Sequence, residues 1–244
     1  MVAYGNLKMN KKYSISVILP VYNEGGNIKK IIKETAHFLE IQEIFKNYEI
    51  IVVDDGSQDN TLKVLRKLIN EISYLKIKIH YKNLGYGQAL MTGVKQAKFE
   101  YVFFMDADGQ FNIKDLEKLA VYMPEFEIIL GYRQKREDNL YRRILGKSYS
   151  YLLFLFFGLK LKDVNCGYKV FKKEVLNYGE VISKGGVFYG EVLLKAKLKG
   201  YKFKEIPVKH FFRFSGKQTG GTLKVVLRAI VDLIYLKYFQ VMNL

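Results

Sequence analysis

The sequence predicts an α/β fold with a mostly parallel sheet covered by helices, and three observations carry that expectation. Short apolar runs rich in β-branched residues alternate with longer amphipathic stretches through the first half of the chain, the pattern of repeated βα units. No Gly/Ser-rich or Pro-rich linker divides the 244 residues, and the only prolines are Pro20, Pro124 and Pro207. Hydrophobic residues make up 49% and charged residues 26%, which suits one sizeable core and excludes wholesale disorder.

Taken in order, Ser14–Leu19 is expected as a strand, Asn27–Leu39 as a helix, Glu49–Val53 as a strand and Thr61–Ile72 as a helix. Then come strand Lys76–Tyr81, helix Gln88–Ala97, strand Tyr101–Met105, helix Lys114–Met123 and strand Glu127–Leu130. In open parallel sheets ligands bind outside the C-terminal strand ends, where the strand order switches. Those ends carry Pro20-Val21-Tyr22-Asn23-Glu24, Asp54-Asp55-Gly56-Ser57, Lys82-Asn83-Leu84-Gly85 and Asp106-Ala107-Asp108-Gly109-Gln110.

The second half differs. Tyr149–Leu161 is nearly all Leu, Phe and Tyr but falls short of the roughly 20 apolar residues a bilayer span requires. A buried core helix, a subunit contact and a membrane contact all remain open for it. Thr222–Tyr238 is apolar but places Lys224, Arg228 and Asp232 on one stripe, with Lys237 beyond. That pattern suits a helix lying in a membrane interface, or a terminal helix packed on its own domain. The neighbouring basic cluster weighs for the membrane.

Forty Lys and Arg against 24 Asp and Glu give a net charge of +16, so an anionic partner is expected. The excess is clustered: Arg133, Lys135, Arg136, Arg142, Arg143 and Lys147 crowd one stretch, and in Lys195–Lys217 Glu205 is the only acid. Cys166 is the single cysteine and can form no intramolecular disulfide. Met1–Lys12 lacks the apolar core of a signal peptide, which leads to the expectation of a cytosolic setting.

Asp106 and Asp108 are the centre of the functional reading. They end a strand expected to be buried, so two carboxylates project into the crevice, where their mutual repulsion calls for a cation. Oxygen ligands suit Mg²⁺ or Mn²⁺, and Gln110 could add a neutral oxygen. An isolated D-x-D pair equally serves to cap a helix. Asp54 and Asp55 form a second acidic turn on the same edge, with Ser57 or Asp59 as caps of the next helix, and Glu24 is a third acid there. Gly85-Tyr86-Gly87-Gln88-Ala89-Leu90 invites a dinucleotide reading, but Leu90 stands where the third glycine belongs. A nicotinamide cofactor would also leave Asp108 and Asp54 unexplained.

These residues, as an ordered series from about Ser14 to Gly221, resemble the family 2 glycosyltransferases of GT-A fold, in their polyprenyl-phosphate (dolichol-phosphate mannose synthase-like) branch. The series continues through Asn83–Ala89, Gly131-Tyr132-Arg133, Arg142-Arg143, Asp163–Lys169 and Gly200-Tyr201 leading to Glu205–Val208. The resemblance implies a GT-A, Rossmann-like catalytic domain over residues 13–221, after a tail at 1–12. Acceptor- or membrane-facing helices would lie at about 139–161 and a C-terminal amphipathic helix at 222–244.

It implies roles as well. Pro20, Tyr22, Glu24, Asp54, Asp55 and Asn83 would frame the nucleotide-sugar. Asp106, Asp108 and Gln110 would hold Mn²⁺ or Mg²⁺ on its diphosphate. Arg133, with Arg142 or Arg143, would grip a lipid phosphate, and Arg213 and Lys217 would close over the diphosphate. Asp108, Arg133 and Arg213 are thus the expected catalytic residues, while the role of Glu191 stays open between a family function and stabilising the first turn of a helix. Gly146 departs from relatives that often carry serine there.

The expected activity is inverting, metal-dependent transfer of a hexose, mannose or glucose, from a GDP- or UDP-sugar to a polyprenyl (dolichyl) phosphate. A phosphate monoester is already anionic at neutral pH and needs no general base, and no histidine falls in these motifs. The expected setting is peripheral, on the cytoplasmic side of the cell membrane, with a membrane-protein partner as an option. The alternative within the class is transfer to a saccharide or glycolipid hydroxyl. A nucleic-acid-binding protein is the remote alternative and no nucleic acid is expected, since the aromatics of Tyr149–Phe157 are not interleaved with charge.

Overall fold

The computed structural model describes residues 12–138, 140–177, 181, 183, 185, 187–213, 215–216 and 223–242, with side chains of the last helix described over 229–238. Seven strands form one sheet in the order β3-β2-β1-β4-β6-β5-β7. They are β1 (Tyr13–Val21), β2 (Phe45–Asp54), β3 (Leu75–Ile79), β4 (Tyr101–Phe104), β5 (Ile128–Arg133), β6 (Lys169–Lys172) and β7 (Phe203–Val208). All neighbours are parallel except β6, which runs antiparallel to both β4 and β5. The helices are α1 (Ile28–Ile41), α2 (Thr61–Leu68), α3 (Tyr86–Gln96), α4 (Leu116–Ala120), α5 (Leu140–Phe157), α6 (Phe188–Leu198) and α7 (Leu223–Met242).

Both sheet faces are buried, and the period-2 alternation of the strands sorts their side chains between two cores. Val17, Leu19, Val52 and Phe103 meet Ile28, Ile32, Leu65 and Leu116 on one side, so α1, α2 and α4 cover that face. Ile18, Ile51, Val53 and Phe104 meet Leu90, Val94, Leu153, Leu193 and Leu233 on the other, the face of α3, α5, α6 and α7. This two-sided burial is why the strands read as continuous apolar runs.

Two expected helices are shorter. Beyond Leu68, Asn70 and Glu71 donate to carbonyls only three residues back, so the stretch to Ile72 closes in tighter turns. The expected Lys114–Met123 helix begins as a 3₁₀ turn (Ile113–Asp115) and is regular only over Leu116–Ala120. The helix expected over Tyr149–Leu161 starts earlier, at Leu140, and buries only Leu153 and Phe157. It is a surface helix with an apolar exterior, so the buried-core alternative fails. The expected tail lies outside the described residues but for Lys12.

The order switches between β1 and β4. Counting outward, β2 and β3 lie to one side of β1, while β4 and the later strands lie to the other. The ends of β1 and β4 therefore flank a crevice that no strand covers.

Candidate active site

The end of β1 is stapled to the end of β2. Asn23 takes a left-handed conformation (φ 57°), which asparagine tolerates better than most side chains. From there its N–H donates to Ser57 Oγ at 2.8 Å, and its Oδ1 accepts from Gln58 N at 2.8 Å. Glu24 N donates to Thr61 Oγ1 at 2.9 Å. These bonds bury Glu24 and aim its carboxylate at Asn27 Nδ2 (2.7 Å) and Arg213. Pro20 is buried on β1 and Tyr22 half-buried just beyond it.

Asp54 and Asp55 are occupied by backbone. Asp54 Oδ1 accepts from Ser57 N at 3.0 Å. Asp55 accepts from Leu84 N (2.8 Å) and Gly85 N (2.9 Å) and contacts His80 Nδ1 at 2.7 Å, while His80 Nε2 lies 2.9 Å from Thr92 Oγ1. Asp55 thus holds the Lys82–Gly85 loop, with exposed Asn83 on it, against the crevice. The N-cap position of α2 is Asn60, which makes no side-chain cap; neither Ser57 nor Asp59 is the cap, though Asp59 Oδ1 accepts from Thr61 N at 2.9 Å.

Asp106 and Asp108 follow β4. Tyr86 donates its hydroxyl to Asp106 Oδ1 at 2.6 Å and lies 3.0 Å from the Tyr189 hydroxyl. Asp108 Oδ1 accepts from Gln110 N at 3.0 Å, and its Oδ2 is 3.4 Å from Arg213 NH1. Gln110 is buried and donates through Nε2 to Phe211 O at 3.0 Å, tying this loop to the segment after β7. Burial and the neighbouring Asp106 push the Asp108 carboxyl up to about 7, and burial also raises Asp106 and Glu24 above the ordinary carboxylate range. Acids destabilised in this way are relieved by a cation.

The donor set fits a hard divalent ion, since it is built of carboxylate and amide oxygens. Among the described residues no three His, Cys, Asp or Glu side chains close on one point. Lys217 lies outside the described residues.

Beside the acids sits a cluster of arginines. Arg133, at the end of β5, forks onto Asp163 with Nε at 2.7 Å and NH2 at 2.8 Å, and its NH1 lies 3.4 Å from Asp138. Arg136 places Nε and NH2 at 2.9 and 2.8 Å from Asp138, and Arg142 Nε is 3.6 Å from the same carboxylate. Arg143 points outward and is exposed. Among the described residues three guanidinium groups face two carboxylates here, and Arg133 and Arg142 lie within electrostatic reach of Asp106 and Asp108 respectively. Burial acts to raise Asp163 and Asp138, but the arginines outweigh it and hold both carboxyls low. A Cβ at Gly146 would fall 2.3 Å from Arg136 NH1, so the glycine of α5 gives that guanidinium its seat.

Several participants escaped the sequence. Asp138 is one of the few acids within the basic stretch, and Asp163 opens a motif quoted above, but their pairing with Arg133 spans a fold. Tyr86 and Tyr189 meet from α3 and α6. Lys169 is fully buried on β6, donates to Cys166 O and lies 4.0 Å from the Tyr189 ring centroid; burial lowers it to about 8. Glu191 is buried in the first turn of α6, accepting from Ser183 N at 2.8 Å and Lys195 Nζ at 2.7 Å.

An acidic pair at the switch point of this mostly parallel sheet, with β6 reversed inside it, defines a GT-A glycosyltransferase fold. The glucosyl-3-phosphoglycerate synthase of Mycobacterium tuberculosis superposes with a TM-score of 0.71 at 16% identity, covering 92% of this chain and 80% of the other. Its complex with Mn²⁺, UDP and glucosyl-3-phosphoglycerate gives a TM-score of 0.72 at the same identity and coverage. The chain belongs to glycosyl transferase family 2, whose model matches residues 16–179.

Among curated proteins, a dolichyl-phosphate beta-glucosyltransferase of Saccharomyces cerevisiae is 28% identical over 220 residues, covering 80% of this chain and 66% of the relative. A protein of the same name from Trichomonas vaginalis is 28% identical over 251 residues, covering 94% and 75%. The undecaprenyl-phosphate 4-deoxy-4-formamido-L-arabinose transferase of Edwardsiella ictaluri is 27% identical over 215 residues, covering 87% and 64%. The chain thus spans 64 to 75% of the length of these relatives.

Proposed function

We propose that this chain transfers a hexose from a nucleotide-sugar to a polyprenyl phosphate at a membrane surface, with inversion at the anomeric carbon. The observation that carries the reading is the adjacency of an acidic pair, Asp106 and Asp108, to a cationic excess at Arg133, Arg136 and Arg142. One side suits a cation with a diphosphate and the other suits a phosphate monoester. The relatives support the acceptor class, since all three names carry a polyprenyl phosphate. Two of them are glucosyltransferases, so UDP-glucose leads the candidate donors, ahead of GDP-mannose.

Asp106 and Asp108, with Gln110 beside them, would hold Mn²⁺ or Mg²⁺, and that ion would neutralise charge building on the leaving diphosphate. Tyr86 fixes the rotamer of Asp106 by its hydrogen bond, and Asp55 positions the loop that walls the nucleoside side. Arg213, already beside Asp108, would contact the diphosphate held there. Arg142 and Arg136 present positive charge to the acceptor phosphate, oriented by Asp138. No base is required of the protein, because a phosphate monoester is its own nucleophile. Glu191, the carboxylate that a hydroxyl acceptor would recruit, is buried against Ser183 and Lys195.

The membrane reading rests on α5 and α7. Tyr141, Ile144, Tyr151 and Leu155 of α5 and Val231, Ile234 and Tyr238 of α7 are exposed, and scattered exposed apolar residues are ordinary where such continuous faces are not. No described helix is long and apolar enough to cross a membrane, so the faces suit docking in the interface of the cytoplasmic leaflet.

The test is transfer of radiolabelled hexose from UDP-glucose, UDP-galactose and GDP-mannose to dolichyl or undecaprenyl phosphate in detergent, with Mn²⁺ or with EDTA. Metal-dependent label in the lipid phase is expected. Metal-dependent nucleotide binding without lipid label would move the acceptor to a hydroxyl, and label that survives EDTA would remove the metal.

A further inference from the structure

Arg213 is folded onto the acids of the donor side. Its NH2 donates to Glu24 Oε1, its NH1 lies 3.4 Å from Asp108 Oδ2, and its Nε donates to Ser215 O at 2.7 Å. The side chain is only 13% exposed. Glu24 is completed by Asn27, whose Nδ2 donates to Glu24 Oε2 at 2.7 Å and lies 3.1 Å from Ser215 O, so the turn and the acid are bound together. Gly216 follows in a left-handed conformation (φ 84°), and a Cβ there would fall 2.8 Å from Arg213 NH2. The Ser215-Gly216 turn is therefore shaped to the guanidinium.

Asp108 Oδ2 has two lone pairs, so Arg213 does not block a metal outright, but its charge weakens the attraction of that oxygen for a second cation. An Mg²⁺ ion sits about 2.0–2.1 Å from a carboxylate oxygen, and a guanidinium held beside the same oxygen would repel it in a site shielded from water. Among the described residues, Arg213 is the only cation paired with Glu24 or Asp108. A diphosphate changes that balance, because it offers the guanidinium new acceptor oxygens while leaving Asp108 to the metal.

We propose that Arg213 is an intramolecular counter-ion that competes with the metal for Asp108 until a nucleoside diphosphate draws it away. Metal and nucleotide then bind cooperatively, each raising the affinity of the other by the same factor. This proposal rests on the metal reading given above and adds an order to it: metal alone binds weakly, and metal with nucleotide binds well. The device keeps the acid pair neutralised and withholds the metal from unproductive binding.

The experiment is titration of the purified chain with Mn²⁺, following free Mn²⁺ by electron paramagnetic resonance, with and without UDP and, separately, GDP. Arg213→Gln is expected to tighten binding of Mn²⁺ alone by about tenfold, within the range typical of coupled sites, and to shrink the gain conferred by nucleotide. Arg213→Lys keeps the positive charge and is expected to leave Mn²⁺ alone binding weakly, which separates competition by charge from simple loosening of the turn. If wild type binds Mn²⁺ with nucleotide but Arg213→Gln binds Mn²⁺ alone no more tightly, the counter-ion proposal falls and the metal reading stands. Equal tightening by Gln and Lys would also overturn it, since the charge would then not be the cause. Absence of Mn²⁺ binding in every form, with either nucleotide, would overturn the metal reading and the proposal together.

Discussion

Arg133 was expected to serve a substrate phosphate, yet its donors are largely committed within the protein, and that makes a sharp stability prediction. Its guanidinium forks onto Asp163 with bonds of 2.7 and 2.8 Å, and both side chains are 10% exposed. Arg133→Ala leaves Asp163 buried without its partner, and Asp163→Ala leaves Arg133 in the same position. Breaking a buried pair from one side costs about 3–5 kcal/mol, whereas removing both partners spares the uncompensated charge. Arg136 and Lys169 lie within electrostatic reach of Asp163, so the lower part of that range, about 3 kcal/mol, is expected for Arg133→Ala.

Urea unfolding monitored by circular dichroism, on wild type, both single variants and Arg133→Ala/Asp163→Ala, measures the cycle. The double variant is expected to be less destabilised than the sum of the singles by at least about 1.5 kcal/mol, within the range for residues in direct contact. Acceptor titration on the folded fraction of Arg133→Ala would then report any loss of lipid-phosphate use. Additive singles, or singles within about 0.5 kcal/mol of wild type as for an ordinary surface change, would refute the assignment of Arg133 as a buried structural partner.

Asp55→Asn keeps shape but replaces one acceptor oxygen with a donor, against the N–H groups of Leu84 and Gly85. One unsatisfied buried N–H costs about 1–3 kcal/mol, so a drop of several degrees in Tm is expected by differential scanning fluorimetry, together with weakened UDP or GDP binding. Asp108→Ala is expected to abolish EDTA-sensitive transfer while leaving the circular dichroism spectrum unchanged; full activity with chelator present would end its role. His210 is held down to about 4, by burial first and then by Arg133, and its Nδ1 accepts from Glu137 N at 3.2 Å, which requires the neutral ring. A base with a depressed folded value contributes stability above its unfolded value near 6.5 that is lost as pH falls towards 4. His210→Gln should therefore flatten the fall in stability between pH 6.5 and 4, read by urea midpoints across that window; an unchanged slope would remove His210 as its source.

Much of this protein was written locally. The strands β1, β2 and β4 announce themselves because both faces are buried, so runs such as Ile50–Val53 are apolar without interruption. The acids at their C-terminal ends were legible for the same reason: a carboxylate that ends a buried strand at a switch point has nowhere to go but the crevice. The basic run from Arg133 to Lys147 and the charged stripe of Thr222–Tyr238 were equally plain, since composition and helical spacing are properties of the chain itself.

Other features exist only once the chain is folded. β6 is only four residues, beginning and ending in lysine, and it becomes a strand because β4 and β5 offer it hydrogen-bonding edges on both sides. β7 contains Pro207 and is held at the sheet edge by β5 alone. Whether an arginine serves a ligand or a neighbour depends on partners brought from afar: Arg133 meets Asp163 across 30 residues, and Arg213 meets Glu24 across 189. The sequence by itself determined the strand pattern, the acids at the strand ends and the sign of the charge. Tertiary structure decided which of those charges pair inside the protein, because the strength of a charge pair is set by separation and burial, and neither is a property of position along the chain.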